Sequence, residues 1–133
     1  MTIHTSIDHD KRQITSRSDA TLELADLIAL LDSLVVRDLM SYAKLFDAGD
    51  HDTRMDDDGL TVMMARMNAY DVLDGRGPLA LVARAASTRT LMLRMMNVDR
   101  SRRPVRLFDR MRDALEWLNA VNRPQEPRAA ADA

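Results

Sequence analysis

The chain has no cysteine, which excludes disulfides, thiolate metal sites and thiol nucleophiles together. Aromatic residues are scarce at 4%, so the rings that interleave with basic residues on many nucleic-acid surfaces are largely missing. No apolar run approaches the 18 residues of a membrane span, and the start MTIHTSIDHDKR lacks the basic-then-apolar pattern of a leader peptide. Only three histidines occur, and His4, His9 and His51 share no metal-ligand spacing. These absences fit a reducing compartment. The expectation is a cytoplasmic protein that engages neither membrane nor nucleic acid and carries no cofactor.

What is present is ordinary in bulk and uneven in arrangement. With 46% hydrophobic and 30% charged residues, a chain of 133 suffices for one soluble domain with a two- or three-layer core. Ten methionines partly replace aromatics as bulky core filler. The net charge of −2 hides a division: residues 1–74 hold 7 Lys/Arg against 15 Asp/Glu, and residues 75–133 hold 12 Arg against 6 Asp/Glu. Such a split could make a dipolar surface that favours self-association, a homodimer included, or an acidic partner. If the halves pack side by side, the charges intermix in space instead.

Ile3, Thr5 and Ile7 alternate with His4 and Ser6, which predicts a half-buried strand. Asp8-His9-Asp10-Lys11 reads as a turn, and Arg12 to Ser18 as the second strand of a hairpin. Leu24, Leu27, Ile28, Leu31, Leu34 and Val35 follow the 3–4 spacing of a first helix, with Thr21 or Asp19 to cap it. Tyr42 to Asp47 is a short strand, and an Asp/Gly/His loop fills 47–54. A second helix runs from about Asp58 to Leu73, with Leu60, Met63, Met64 and Met67 on one stripe that Tyr70 extends. Gly75-Arg76-Gly77-Pro78 breaks the chain before Leu79 to Ala83, an apolar run expected of a central strand covered on both faces. Ser87 or Thr88 caps a third helix carrying Leu91, Met92, Met95 and Met96. A polar loop from Asp99 to Arg103 leads to the last strand, Pro104 to Phe108. Asp109 caps a final helix with Met111, Ala114, Leu115 and Leu118 inward and Trp117 beside them. Residues 1–121 form the expected domain, and 122–133, with RPQEPRAAADA from Arg123, an expected disordered tail. The order ββαβαβαβα predicts an α/β fold, a mixed and mostly parallel five-stranded sheet with helices packed against it through right-handed crossovers.

That order resembles the STAS domain of the bacterial anti-sigma-factor antagonist (SpoIIAA-like) family over residues 2–121. More narrowly, the chain is similar to a group of alphaproteobacterial STAS-like proteins of unassigned function. The stretches that carry the likeness are Tyr42 to Asp47, Ala65-Arg66-Met67, Gly77 to Ala83, and Arg103 to Phe108 leading to Ala114-Leu115-Glu116-Trp117-Leu118. These are largely core and turn residues, which speak for fold more than for function. In phosphorylatable members the loop after the third strand reads like Asp-Ser-Ser-Gly-Leu, and a partner kinase modifies a serine there. This chain has Asp56-Asp57-Asp58-Gly59-Leu60 at that place, and Thr61 is the nearest hydroxyl. A carboxylate carries about one negative charge against roughly two for phosphoserine, so it mimics the modified state only in part.

A run of carboxylates at a helix start is first of all a cap: it accepts from free N–H groups and opposes the positive end of the helix dipole. It is also a candidate partner-docking patch, in which Asp52 and His51 would join Asp56, Asp57 and Asp58. A metal site in the loop fails on spacing, because aligning Gly59 as position six of an EF-hand puts Arg54 first and Ala65 twelfth. No nucleophile motif is present, and Gly75-Arg76-Gly77 is too short for a phosphate cradle. Arg84, Arg89, Arg94, Arg100, Arg102, Arg103, Arg106, Arg110 and Arg112 read as solvated helix and loop arginines without a nucleic-acid motif. The methionines at 63, 64, 67, 92, 95 and 96 read as core. If their two stripes face each other across the sheet, Met63, Met67, Met92 and Met95 become weak candidates for a pliable apolar pocket.

The leading expectation is therefore a non-enzymatic STAS-like interaction module that lacks the phosphorylatable serine and presents its acidic helix start to a protein, such as an anti-sigma-factor-like regulator. The alternatives are a binder of a small apolar ligand and a purely structural protein.

Overall fold

Strands β1 (Ile3–Asp8) and β2 (Gln13–Ser18) pair antiparallel, with Ile3 opposite Ser18 and Asp8 opposite Gln13, as the expected hairpin. The structure is a computed structural model and describes residues 3–70, 77–98 and 103–122. The elements that follow are β3 (Leu22–Glu23), α1 (Leu24–Val36), β4 (Ala43–Asp47), β5 (Thr53–Arg54), α2 (Asp57–Tyr70), β6 (Leu79–Val82), α3 (Ala86–Val98), β7 (Val105–Phe108) and α4 (Met111–Val121).

The five-stranded sheet has the order β1-β2-β4-β6-β7, and every pair after the hairpin is parallel. Parallel strands added in one direction require each right-handed crossover to lie on the same face. Accordingly α1, α2 and α3 pack on one face, where Ile14, Leu31, Leu34, Met63, Met67 and Leu91 share a core. Among the described residues no strand follows α4, and this helix covers the other face: its Ala114 and Leu118 are 0% exposed against Ala43, Leu45, Ala80 and Val82. Phe108 and Trp117 meet beside them with ring centres 5.7 Å apart. The α/β class and the mostly parallel mixed sheet with four helices are thus as the sequence predicts. Among the described residues no helix is long and apolar enough to cross a membrane.

The differences lie at element ends, where side chains expected to cap helices hold other parts of the fold. Neither Thr21 nor Asp19 caps α1; Glu23 occupies the position and makes no side-chain cap bond. The reason is a two-stranded parallel pair absent from the sequence-based prediction, β3 with β5, which takes Leu22 and Glu23 into extended backbone and buries Leu22 to 1% exposure. Asp19 instead meets His4 Nε2 at 2.6 Å, which holds its carboxyl below the usual value. Ser87 and Thr88 lie inside α3 and donate to Asp52 and the His51 carbonyl in the loop before β5. Asp109 receives Arg89, and Arg110 stands at the N-cap of α4. The C-terminus of α1 closes well: Asp38 takes φ 57°, and the N–H groups of Asp38 and Leu39 donate to Val35 O at 3.1 Å and Leu34 O at 2.8 Å. That is a Schellman arrangement with aspartate where glycine is usual. The expected run of α2 to Leu73, the Gly75-Arg76 break, most of the loop from Asp99 and the tail from Arg123 lie outside the described residues.

Candidate functional site

The strand-to-helix connection from Asp47 to Gly59 holds the acidic residues singled out in the sequence, and most of their carboxylates turn back onto the fold. Asp56 sits just before α2 and accepts the Gly59 N–H at 2.8 Å, while its carbonyl accepts Leu60 N–H at 3.0 Å. It is a true N-cap. Asp57 pairs with Arg94 of α3 at 2.6 Å, and Asp52 accepts from Ser87 Oγ at 2.7 Å. Asp50 meets Arg84 at 2.5 Å and holds that guanidinium above its ordinary value. His51 contributes its carbonyl, which accepts from the fully buried Thr88 hydroxyl at 2.7 Å. Asp58 is exposed. The arginines at 84 and 94 come from the basic half of the chain, so the two charge blocks intermix here. Among the described residues no three His, Asp or Glu side chains converge as metal ligands would.

The methionine stripes do meet. Register explains where: Ile14 pairs with Lys44 and Lys44 with Leu79, while Ser16 pairs with Phe46 and Phe46 with Leu81. Those two rows point to the α1–α2–α3 face, because alternate residues of a strand share a side. Between them and the helices lies a cavity of about 100 Å³. Its roof is Leu27, Leu30, Leu31 and Leu34 of α1, Met63 and Met67 of α2, and Leu91, Met92 and Met95 of α3. Met40 closes one side. Met64 and Met96 pack in the adjoining cores without lining it.

Three polar residues also border the cavity: Lys44 and Ser16, which sequence reasoning left without a site role, and Arg103, which it placed among the solvated loop arginines. Lys44 is 7% exposed at a core-facing position; its ammonium donates to the backbone carbonyls of Met40 and, at 2.8 Å, Tyr42. Ser16 Oγ shares a hydrogen bond with Thr5 Oγ1 at 3.1 Å. Arg103 lies at the margin and is likewise engaged within the chain. Strand parity was the available signal for Lys44: in Ala43-Lys44-Leu45-Phe46-Asp47 it shares a face with Phe46. Compared with family models, with curated proteins and with solved structures, the chain matches none.

Proposed function

We propose that this chain is a non-enzymatic, STAS-like α/β module that binds a small apolar ligand between its sheet and helices α1 to α3. The cavity carries the reading. Native interiors pack densely and hold few voids larger than a water molecule. A hole of about 100 Å³ leaves the side chains around it without part of their packing contacts. An occupant restores those contacts and adds its binding energy to folding. Unbranched thioether side chains from α2, α3 and the loop before β4 also repack around a guest more readily than branched ones. The element order, read without the short β3–β5 pair, supports the STAS-like likeness of the sequence.

Xenon tests this directly. Xenon NMR of the purified protein should show a saturable shift that is lost in Leu30→Trp, where a larger side chain on α1 fills the cavity while circular dichroism stays native. A shift that does not saturate, or that is the same in both proteins, would sink the reading.

A second reading sets a regulatory protein on the acidic start of α2. It is favoured by one observation: the side chains of Asp50 and Asp57 remain 80% exposed although each is paired with an arginine. Exposed pairs contribute little, so a partner's cations could replace Arg84 and Arg94 at small cost. Changing Asp56, Asp57 and Asp58 together to Asn keeps the cap and removes the charge. Partners captured by the natural chain should then be lost; retention of all of them refutes this reading.

A further inference from the structure

We infer that the occupant of the cavity is an uncharged molecule without hydrogen-bonding groups, a single aromatic ring or a hydrocarbon of similar size, and not an amphiphilic acid. The inference rests on the cavity being a ligand site and adds the chemistry of what fits it. Nearly all of the wall is carbon and sulfur. Of the three polar side chains that border it, the Lys44 ammonium is committed to the carbonyls of Met40 and Tyr42, the Ser16 hydroxyl to Thr5, and the Arg103 guanidinium is engaged within the chain. A guest hydroxyl or carboxylate would leave water for a wall that answers it with methyl and thioether groups, and a buried polar group without a partner is costly. An acid would also have to draw Lys44 away from two backbone acceptors, leaving those carbonyls unanswered.

Size narrows the class further. An apolar cavity of ~150 Å³ in another protein stays dry and takes up benzene or xenon. The present one, at about 100 Å³, is somewhat smaller. Met63, Met67, Met92 and Met95 border it from two helices and can yield to admit a ring. Sulfur at the edge of an aromatic ring is also a favourable contact, which tilts the choice from a chain toward a ring.

The experiment uses the full chain with labelled methionine methyl groups, titrated in parallel with benzene, phenol and benzoate. Benzene should shift the methyl signals of Met63, Met92 and Met95 saturably. Phenol should bind about tenfold more weakly, the loss expected for one unpaired hydroxyl, and benzoate should leave the signals unmoved. Phenol or benzoate binding as tightly as benzene overturns the inference even where xenon binds as proposed above. Xenon and benzene both failing to move these methyls overturns the ligand-site reading itself, and the inference with it. Leu30→Phe serves as a milder filling variant beside Leu30→Trp: it should weaken benzene, and unchanged benzene affinity in a folded Leu30→Phe protein counts against this cavity as the site.

Discussion

Replacing Gly77 by alanine should be among the most damaging single-methyl changes available in this chain. An added Cβ would stand 2.3 Å from Tyr42 O, 2.5 Å from Ser41 O and 2.6 Å from Tyr42 C, and all three are backbone atoms. A carbon–oxygen approach settles near 3.3 Å, so the 41–42 backbone would have to retreat by about 1 Å. That segment is pinned from several sides. Gly77 N–H donates to Met40 O at 3.0 Å, Lys44 donates to Met40 O and Tyr42 O, Arg12 donates to Ser41 Oγ at 2.7 Å, and His9 meets the Tyr42 hydroxyl at 2.8 Å. Overpacking alone costs about 1–3 kcal/mol, and each disturbed hydrogen bond adds about 1 kcal/mol, so a loss of about 3–4 kcal/mol is expected. With a urea m-value of about 2 kcal/mol/M, the midpoint should fall by roughly 1.5–2 M, and Tm by more than about 10 °C. Gly59→Ala is the control. Its Cβ meets side-chain atoms in place of backbone, Met55 Cγ at 2.8 Å and Asp56 Oδ1 at 3.3 Å, and it lies in the first turn of α2. There the helix preference of alanine offsets part of the adjustment, and the change should cost no more than about 1 kcal/mol. A Gly77→Ala protein whose midpoint lies within about 0.3 M of the natural one, at unchanged m, would refute the close approach of 77 to 41–42.

Three further outcomes follow from the same packing. Leu118→Ala, at 0% exposure between α4 and the sheet, should cost about 2–5 kcal/mol in urea unfolding; a loss under about 1 kcal/mol would mean that α4 does not seal that face. Asp38→Gly relieves a left-handed residue at φ 57° and should stabilise the chain by about 0.5–1 kcal/mol, and a destabilised variant would show that the Asp38 side chain matters in its own right. Asp56→Ala should cost about 1 kcal/mol while Asp56→Asn stays close to neutral; equal losses from both would argue against the cap to Gly59 N–H.

The sequence made the layers legible and left their ends obscure. The 3–4 spacing in α1 reports which face is buried, and in β1 Ile3 and Ile7 do so while Thr5 between them is exposed; burial is what the folded chain must satisfy. Cap residues report a local preference only, and tertiary partners overrode it repeatedly. Asp19 went to His4, Ser87 to Asp52, Thr88 to the His51 carbonyl and Asp109 to Arg89. Asp56, which has no competing cation among its hydrogen bonds, kept the predicted capping role. The two-residue β3–β5 pair is too short to leave a periodic trace, and yet it sets where α1 begins. For the candidate site, both methionine stripes could be read along the chain. That they close over Lys44 and Phe46 depends on the register of β2, β4 and β6, which pairing fixes and spacing within one segment does not.

The methionine-bordered cavity also has a volumetric consequence. About 100 Å³ per molecule corresponds to about 60 mL/mol, comparable with the ~20–100 mL/mol by which whole proteins contract on unfolding. Unfolding eliminates internal space, so hydrostatic pressure favours the state without it. Compression should therefore act on this domain first through the sheet face beneath α1, α2 and α3, while the α4 face, where Ala114 and Leu118 are fully covered, gives up little volume.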